Sequence, residues 1–60
     1  MKGIILKFFK RKNYGFILSE NKTFYFNLKD CVNLIGYEIG ESVGFDVQGD
    51  KAVNVHKLLY

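Results

Sequence analysis

The chain has 60 residues, ten of them Phe or Tyr, and a formal net charge of +3, which makes one small domain near the lower size limit for folding without staples. A single cysteine excludes an internal disulfide, and the chain lacks the cluster of Cys and His that a structural zinc site needs. No apolar stretch is long enough to predict a transmembrane helix and no signal-peptide pattern begins the chain, so we expect a complete cytoplasmic protein that makes no use of a membrane.

Five strands are predicted in chain order. Strand signals recur at short spacing, whereas helical periodicity is nearly absent. The strands are predicted over residues 4–9, 14–20, 23–27, 41–48 and 51–58, with a short helical turn and a loop over 29–37. Asn21-Lys22 and Gly49-Asp50 each predict a two-residue hairpin turn. Five short strands in so few residues favour a closed barrel over an open sheet with exposed edges.

The first hairpin carries an unusual aromatic pattern. Tyr14 and Phe16 lie two residues apart and therefore share a face of their strand. With a turn at Asn21-Lys22, Leu18 pairs with Tyr25 and Phe16 pairs with Asn27, although a one-residue slip would place Phe24 and Phe26 on that face instead. One face then carries Tyr14, Phe16, Leu18, Tyr25 and Asn27, and the other, predicted to be core, carries Ile17, Ser19, Phe24 and Phe26.

The last hairpin and the isolated polar residues predict no chemistry. Val43, Phe45, Val47, Val53 and Val55 alternate with polar residues and are predicted to face the core. His56 is predicted on the surface and Cys31 as a small buried thiol. The chain has no phosphate-binding glycine loop, metal-ligand motif or nucleophile elbow, so we expect no enzyme, no catalytic residue, no metal and no cofactor.

Charge is distributed unevenly along the chain. Residues 1–19 contain five basic residues and no acid, whereas residues 20–60 contain four lysines and six acids. A basic half beside aromatic residues favours an anionic partner. The alternative is that Lys10-Arg11-Lys12 is only a solvated loop.

Several motifs together resemble the bacterial cold-shock domain family, over nearly the whole chain. They are Gly3-x-Ile5, Phe8, Lys12-Asn13-Tyr14-Gly15-Phe16-Ile17, Phe24-Tyr25-Phe26-Asn27, Gly40-x-x-Val43-x-Phe45-x-Val47 and Ala52-x-Asn54-Val55. The resemblance implies a single domain over residues 1–60 with an all-β fold, a five-stranded antiparallel OB-type barrel. It also implies binding of single-stranded RNA and DNA, and some members of the family melt RNA hairpins as chaperones.

The resemblance also implies roles for individual residues. Tyr14 and Phe16 match the aromatics of the family's first RNA-binding motif, and Lys12 matches the lysine that opens it. Tyr25 matches the aromatic of the second motif. Asn27 replaces the usual histidine, and Leu28 replaces a stacking phenylalanine that is common there.

The chain departs from the family pattern in its first strand and in its loops. Asn13 replaces the glycine after Lys12, although asparagine also adopts left-handed turn conformations. In an alignment without a gap, Lys7 takes the position of the family's tryptophan, and Phe9 replaces a polar residue. A one-residue gap would instead place Phe8 at the tryptophan position. The loops after the third strand and in the last hairpin are shorter, which predicts a smaller footprint and weaker binding.

These observations lead to one main hypothesis and two rivals. The main hypothesis is a stand-alone protein that binds single-stranded RNA or DNA with low specificity, as an RNA chaperone or a regulator of transcription or translation. One rival is a protein-interaction barrel, a dimer or partner-binding module that uses the same aromatic face; the other is a decayed family member that occupies a host factor. We expect a monomer or a weak or strand-swapped homodimer. The predicted nucleic-acid-binding residues are Lys7, Phe8, Phe9, Lys12, Tyr14, Phe16, Tyr25, Asn27 and Leu28.

Overall fold

Five strands close into a barrel in the computed structural model, which describes residues 1–32 and 37–58. The strands run in the order β1-β2-β3-β5-β4, and β4 pairs back onto β1. This confirms the predicted all-β, five-stranded barrel of OB type. The elements are β1 (Lys2–Phe9), β2 (Tyr14–Ser19), β3 (Lys22–Asn27), a single 3-10 turn (Leu28–Asp30), β4 (Ser42–Gln48) and β5 (Lys51–Lys57).

One strand pair corrects the expectation of a purely antiparallel barrel. β3 and β5 run parallel where Tyr25 pairs with Lys51, and the isolated bridge between Cys31 and Val55 is parallel as well. The reason is topological. Strand directions cannot alternate all the way around a closed ring of five, so at least one neighbouring pair must be parallel.

The β2–β3 hairpin turns one residue earlier than predicted. Its two turn residues are Glu20 and Asn21, with φ of 49° and 66°, and positive φ at both positions is typical of a tight two-residue hairpin turn. Phe16 therefore pairs with Tyr25, and the predicted pairing of Phe16 with Asn27 is wrong. The register differs by two residues, and because side chains alternate with a period of two, the predicted division of the hairpin into two faces is confirmed.

A β-bulge in β1 changes which side chains face the interior. The pairing with β2 shifts between Ile5 and Lys7, so Leu6 is an extra residue with no partner. Ile5 and Phe8 lie three residues apart, but both pair with the inward face of β2. Beyond the bulge, Lys7 and Phe9 are exterior.

A second bulge lies in β5. Asn54 has a φ of 53°, and the register with β4 shifts across it. Ala52 and Val55 are consequently both fully buried. Val53 pairs instead with the exposed Asp46, so the prediction that Val53 faces the core is wrong.

The rest of the core matches most of the sequence predictions. Val43 and Phe45 are buried as predicted, whereas Val47 is 41% exposed near the end of β4. Cys31 is a buried thiol as predicted. Tyr37 is packed in the core at 1% exposure, and its hydroxyl donates a hydrogen bond to the Val55 carbonyl at 3.2 Å.

Gly15 allows β2 to pack closely on its neighbours. A Cβ at this position would fall on the Lys7 carbonyl oxygen and would lie 2.9 Å from the Phe26 ring. The Phe26 ring is fully buried and stacks on Phe8 with centroids 5.9 Å apart. The inward side of Gly15 is therefore filled by neighbouring atoms, while Tyr14 and Phe16 project from the opposite face.

We expect Gly15→Ala to destabilise the protein by about 1–3 kcal/mol, the usual cost of overpacking a filled interior. Urea unfolding followed by circular dichroism measures the loss as a lower midpoint. Gly49→Asn is the matched control, because Gly49 has a φ of 66° with nothing within 4 Å and asparagine tolerates that conformation. Equal stability of the two variants would contradict the close packing at Gly15.

Candidate nucleic-acid interface

The exterior of β1, β2 and β3 forms three rows of side chains that run across the strands. Cross-strand partners share a face, so the pairing places each row directly. We call the first two rows the aromatic face and the third the aliphatic row. The first row is Phe9, Tyr14 and Asn27, the second is Lys7, Phe16 and Tyr25, and the third is Ile4, Leu18 and Thr23.

Four rings make contact across the aromatic face. Tyr14 is at the centre, with its ring centroid 5.1 Å from Phe9, 6.1 Å from Phe16 and 5.6 Å from Tyr25. Phe16 and Tyr25 close the cluster at 6.2 Å. These separations lie in the range of favourable ring pairs, so the rings hold one another in place. Phe9 and Tyr25 are 40% and 37% exposed, and Tyr14 and Phe16 are half-buried between them.

The β1–β2 turn sets the end of this face. Asn13 has a φ of 59°, the left-handed conformation that asparagine accepts more readily than most residues. The main-chain N–H groups of Lys12 and Asn13 both donate to the Phe9 carbonyl, at 3.0 and 2.9 Å. The turn therefore holds Phe9 at the end of β1, and it carries the exposed side chains of Lys10, Arg11 and Lys12 next to the first row.

Two predicted binding residues lie outside the aromatic face. Phe8 pairs with Gly15 on the interior side and stacks on Phe26 at an interplanar angle of 11°. Leu28 is partly buried against the core and follows Asn27 in the 3-10 turn. The structure thus brings together Lys7, Phe9, Tyr14, Phe16, Tyr25 and Asn27, with Lys12 beside them, and leaves Phe8 and Leu28 packed against the core.

Asn27 is held in one orientation at the edge of the rings. Its Oδ1 accepts a hydrogen bond from the Lys29 main-chain N–H at 3.0 Å, which caps the 3-10 turn. Its Nδ2 donates to the Tyr25 hydroxyl at 3.4 Å. The Asn27 amide therefore links the 3-10 turn that follows β3 to the Tyr25 ring of the aromatic face.

Two further lysines lie beside this amide, and sequence reasoning missed both. Lys29 and Lys51 line a surface hollow together with Tyr25, Asn27 and Asp30. Lys29 could have been found from its position two residues after Asn27. Lys51 is 26 residues from Tyr25 in sequence and reaches it only through the parallel β3–β5 pair, for which the sequence carries no local signal.

The basic residues of the β1–β2 turn form no ion pair within the described part of the chain. Among residues 1–32 and 37–58, two ion pairs form, Lys51 with Asp30 at 3.7 Å and Lys57 with Glu41 at 3.4 Å. Neither includes Lys7 or the three basic residues of the turn. These cations therefore face solvent beside the rings, where an anion can approach them.

Two other reactive side chains are the buried Cys31 thiol and the His56 imidazole. Burial raises the pKa of the Cys31 thiol to about 11, so near neutral pH it remains protonated and a poor nucleophile. No group of three or more His, Cys, Asp or Glu that could hold a metal ion occurs in residues 1–32 and 37–58. His56 is exposed, and its Nδ1 lies 3.0 Å from the Asn54 carbonyl oxygen.

Comparison with known proteins does not assign a family. No protein-family model matches the chain, and no curated protein matches it. Within the described residues, no helix has the length and apolar character needed to cross a membrane. The five-stranded barrel is compatible with a cold-shock domain without identifying one.

Proposed function

We propose that this protein binds single-stranded RNA or DNA with low sequence specificity, acts in the cytoplasm and performs no catalysis. The observation that carries the proposal is the contiguous cluster of Phe9, Tyr14, Phe16 and Tyr25, beside a basic turn that forms no ion pair within the described residues. On this proposal the chain is a shortened and divergent member of the cold-shock domain family.

Stacking on the aromatic face accounts for the choice of ligand. Every base has a π-face, so rings bind bases with little regard to sequence, at roughly 1–3 kcal/mol for each stacked base. A duplex buries those base faces between its own pairs, so only a single strand offers them. A strand held in this way is kept from pairing with another, which is the action expected of an RNA chaperone or of a regulator of transcription or translation.

The lysines account for the backbone contacts. Lys7 lies within the aromatic face opposite Phe16, and Lys12 belongs to the exposed turn beside Phe9 and Tyr14. Phosphates that contact these cations release condensed counterions, which makes affinity depend on salt. About three phosphate contacts predict a log–log salt slope near −2, using ~0.7 per contact for a single strand.

We expect Tyr14→Ala, Phe16→Ala and Tyr25→Ala each to weaken binding of a labelled heptathymidine or heptauridine strand by about 1–3 kcal/mol, because each removes a stacking surface. Fluorescence anisotropy of the strand measures the affinity, and circular dichroism checks the fold. Ile39→Ala is the control, since Ile39 is 69% exposed and lies outside the aromatic face. Folded variants with unchanged affinity would refute the proposed function.

We expect Lys12→Gln to weaken binding by a similar factor for every strand sequence and to lower the magnitude of the salt slope by ~0.7, the contribution of one phosphate contact. Titrations at four or five salt concentrations measure the slope. Lys22→Gln is the matched control, because Lys22 lies at the opposite end of the β2–β3 hairpin from the basic turn. An unchanged salt slope in Lys12→Gln would show that Lys12 does not contact a phosphate of the bound strand.

The aliphatic row supports a second candidate, a protein-interaction barrel. Ile4 and Leu18 are cross-strand partners, 49% and 41% exposed, and they continue the aromatic face on its far side. Bases stack on the aromatic rings, so base stacking does not account for the exposure of this aliphatic pair. An apolar surface that continues beyond the rings is typical of a contact with another protein or a second copy of the chain.

Sedimentation velocity at rising protein concentration separates the two candidates. Nucleic-acid binding predicts a monomer whose aromatic face is free, and Leu18→Lys should then leave its sedimentation unchanged. The protein-interaction candidate predicts a dimer that Leu18→Lys dissociates, because a charge in a buried apolar contact is strongly unfavourable. An obligate dimer that hides the rings would favour the second candidate over the first.

A further inference from the structure

The Asn27 amide presents its nitrogen, not its oxygen, to the aromatic face. A main-chain N–H can donate only to an acceptor, so the atom 3.0 Å from the Lys29 nitrogen must be the amide oxygen. The other end of the amide, Nδ2, then lies 3.4 Å from the Tyr25 hydroxyl. The cap of the 3-10 turn thereby decides which polar atom is available at the edge of the rings.

Two donors remain available beside each other. Nδ2 carries two hydrogens, and one of them is used by the Tyr25 hydroxyl. The hydroxyl accepts that hydrogen bond, so its own hydrogen is available to another acceptor. Tyr25 is 37% exposed, and Asn27 is the cross-strand partner of Tyr14, so both donors lie at the margin of the tyrosine pair.

The surrounding hollow is also rich in donors. Lys29 and Lys51 line it, and a lysine ammonium has only donors. Its one acidic residue, Asp30, is paired with Lys51 at 3.7 Å. A ligand group that enters the hollow therefore meets donors and needs acceptors of its own.

We propose that Asn27 and Tyr25 read the edge of a stacked base and favour guanine over adenine; this inference rests on the proposed function. Guanine presents two adjacent acceptors, O6 and N7, and these match two donors. Adenine presents N7 beside the N6 amino group, which sets a donor against a donor. Cytosine also has adjacent acceptors, O2 and N3, on a smaller ring, so purines of equal stacking area provide the cleaner comparison.

The expected preference is modest. A well-formed bidentate contact discriminates between bases by about fivefold or more, and this partly exposed pair is expected near the lower end, at about fivefold. Low overall specificity is preserved, because the other bound bases are held by stacking alone.

The test uses four labelled seven-nucleotide strands in which thymine alternates with guanine, adenine, inosine or 7-deazaguanine. Inosine keeps O6 and N7, whereas 7-deazaguanine has lost N7. We expect the guanine and inosine strands to bind about fivefold more tightly than the other two at one fixed salt concentration. Equal binding of all four strands would overturn the inference and leave the proposed function standing, whereas binding of none would overturn both.

Protein variants test the same contact from the other side. Asn27→Asp keeps an oxygen for the Lys29 N–H but replaces the Nδ2 donor with an acceptor, so the preference for guanine should disappear. Tyr25→Phe keeps the ring and removes the hydroxyl, so the ratio should fall while the adenine strand binds as before. Thr23→Val is the control, because it removes an exposed hydroxyl from the aliphatic row. An unchanged ratio in both Asn27→Asp and Tyr25→Phe would overturn the inference.

Discussion

Close packing against Gly15 is the constraint on which the aromatic face depends. The Lys7 main chain and the Phe26 ring fill the space where a Cβ would be, so β2 lies tightly against β1 and β3 at this point. Side chains alternate along a strand, so an inward Gly15 requires Tyr14 and Phe16 to project outward. A residue without a side chain thereby positions two of the four rings, and it does so from the core side of the sheet.

The two β-bulges adjust this alternation where a regular strand would be unfavourable. In β1, the extra residue Leu6 allows Ile5 and Phe8 to face inward and so places Phe9 outside, in contact with Tyr14. In β5, the bulge at Asn54 likewise allows the buried residues before and after it, Ala52 and Val55, to face inward together. The fourth ring of the aromatic face is therefore a consequence of core packing, because the bulge that satisfies the interior also determines the exterior.

On the proposed function, three kinds of contact with a single strand would be made on this side of the barrel, and each comes from a different local structure. The rings of the sheet offer stacking surfaces, the β1–β2 turn carries cations, and the 3-10 turn orients the Asn27 amide. A single strand has base faces, phosphates and base edges that correspond to these three. The aliphatic row has no such counterpart in a nucleic acid, and for this reason it supports the competing protein-interaction candidate.

Properties that depend on local periodicity could be predicted from the amino-acid sequence alone. The two faces of the β2–β3 hairpin were predictable although its turn was misplaced, because a register difference of two returns every side chain to the same side. The left-handed conformation of Asn13 was predictable from residue type. The interior position of Phe8, the exterior position of Phe9 and the proximity of Lys51 to Tyr25 follow instead from contacts between strands. These features arise from bulges and from closure of a five-membered ring, which depend on contacts between distant strands and leave no periodic trace along the chain.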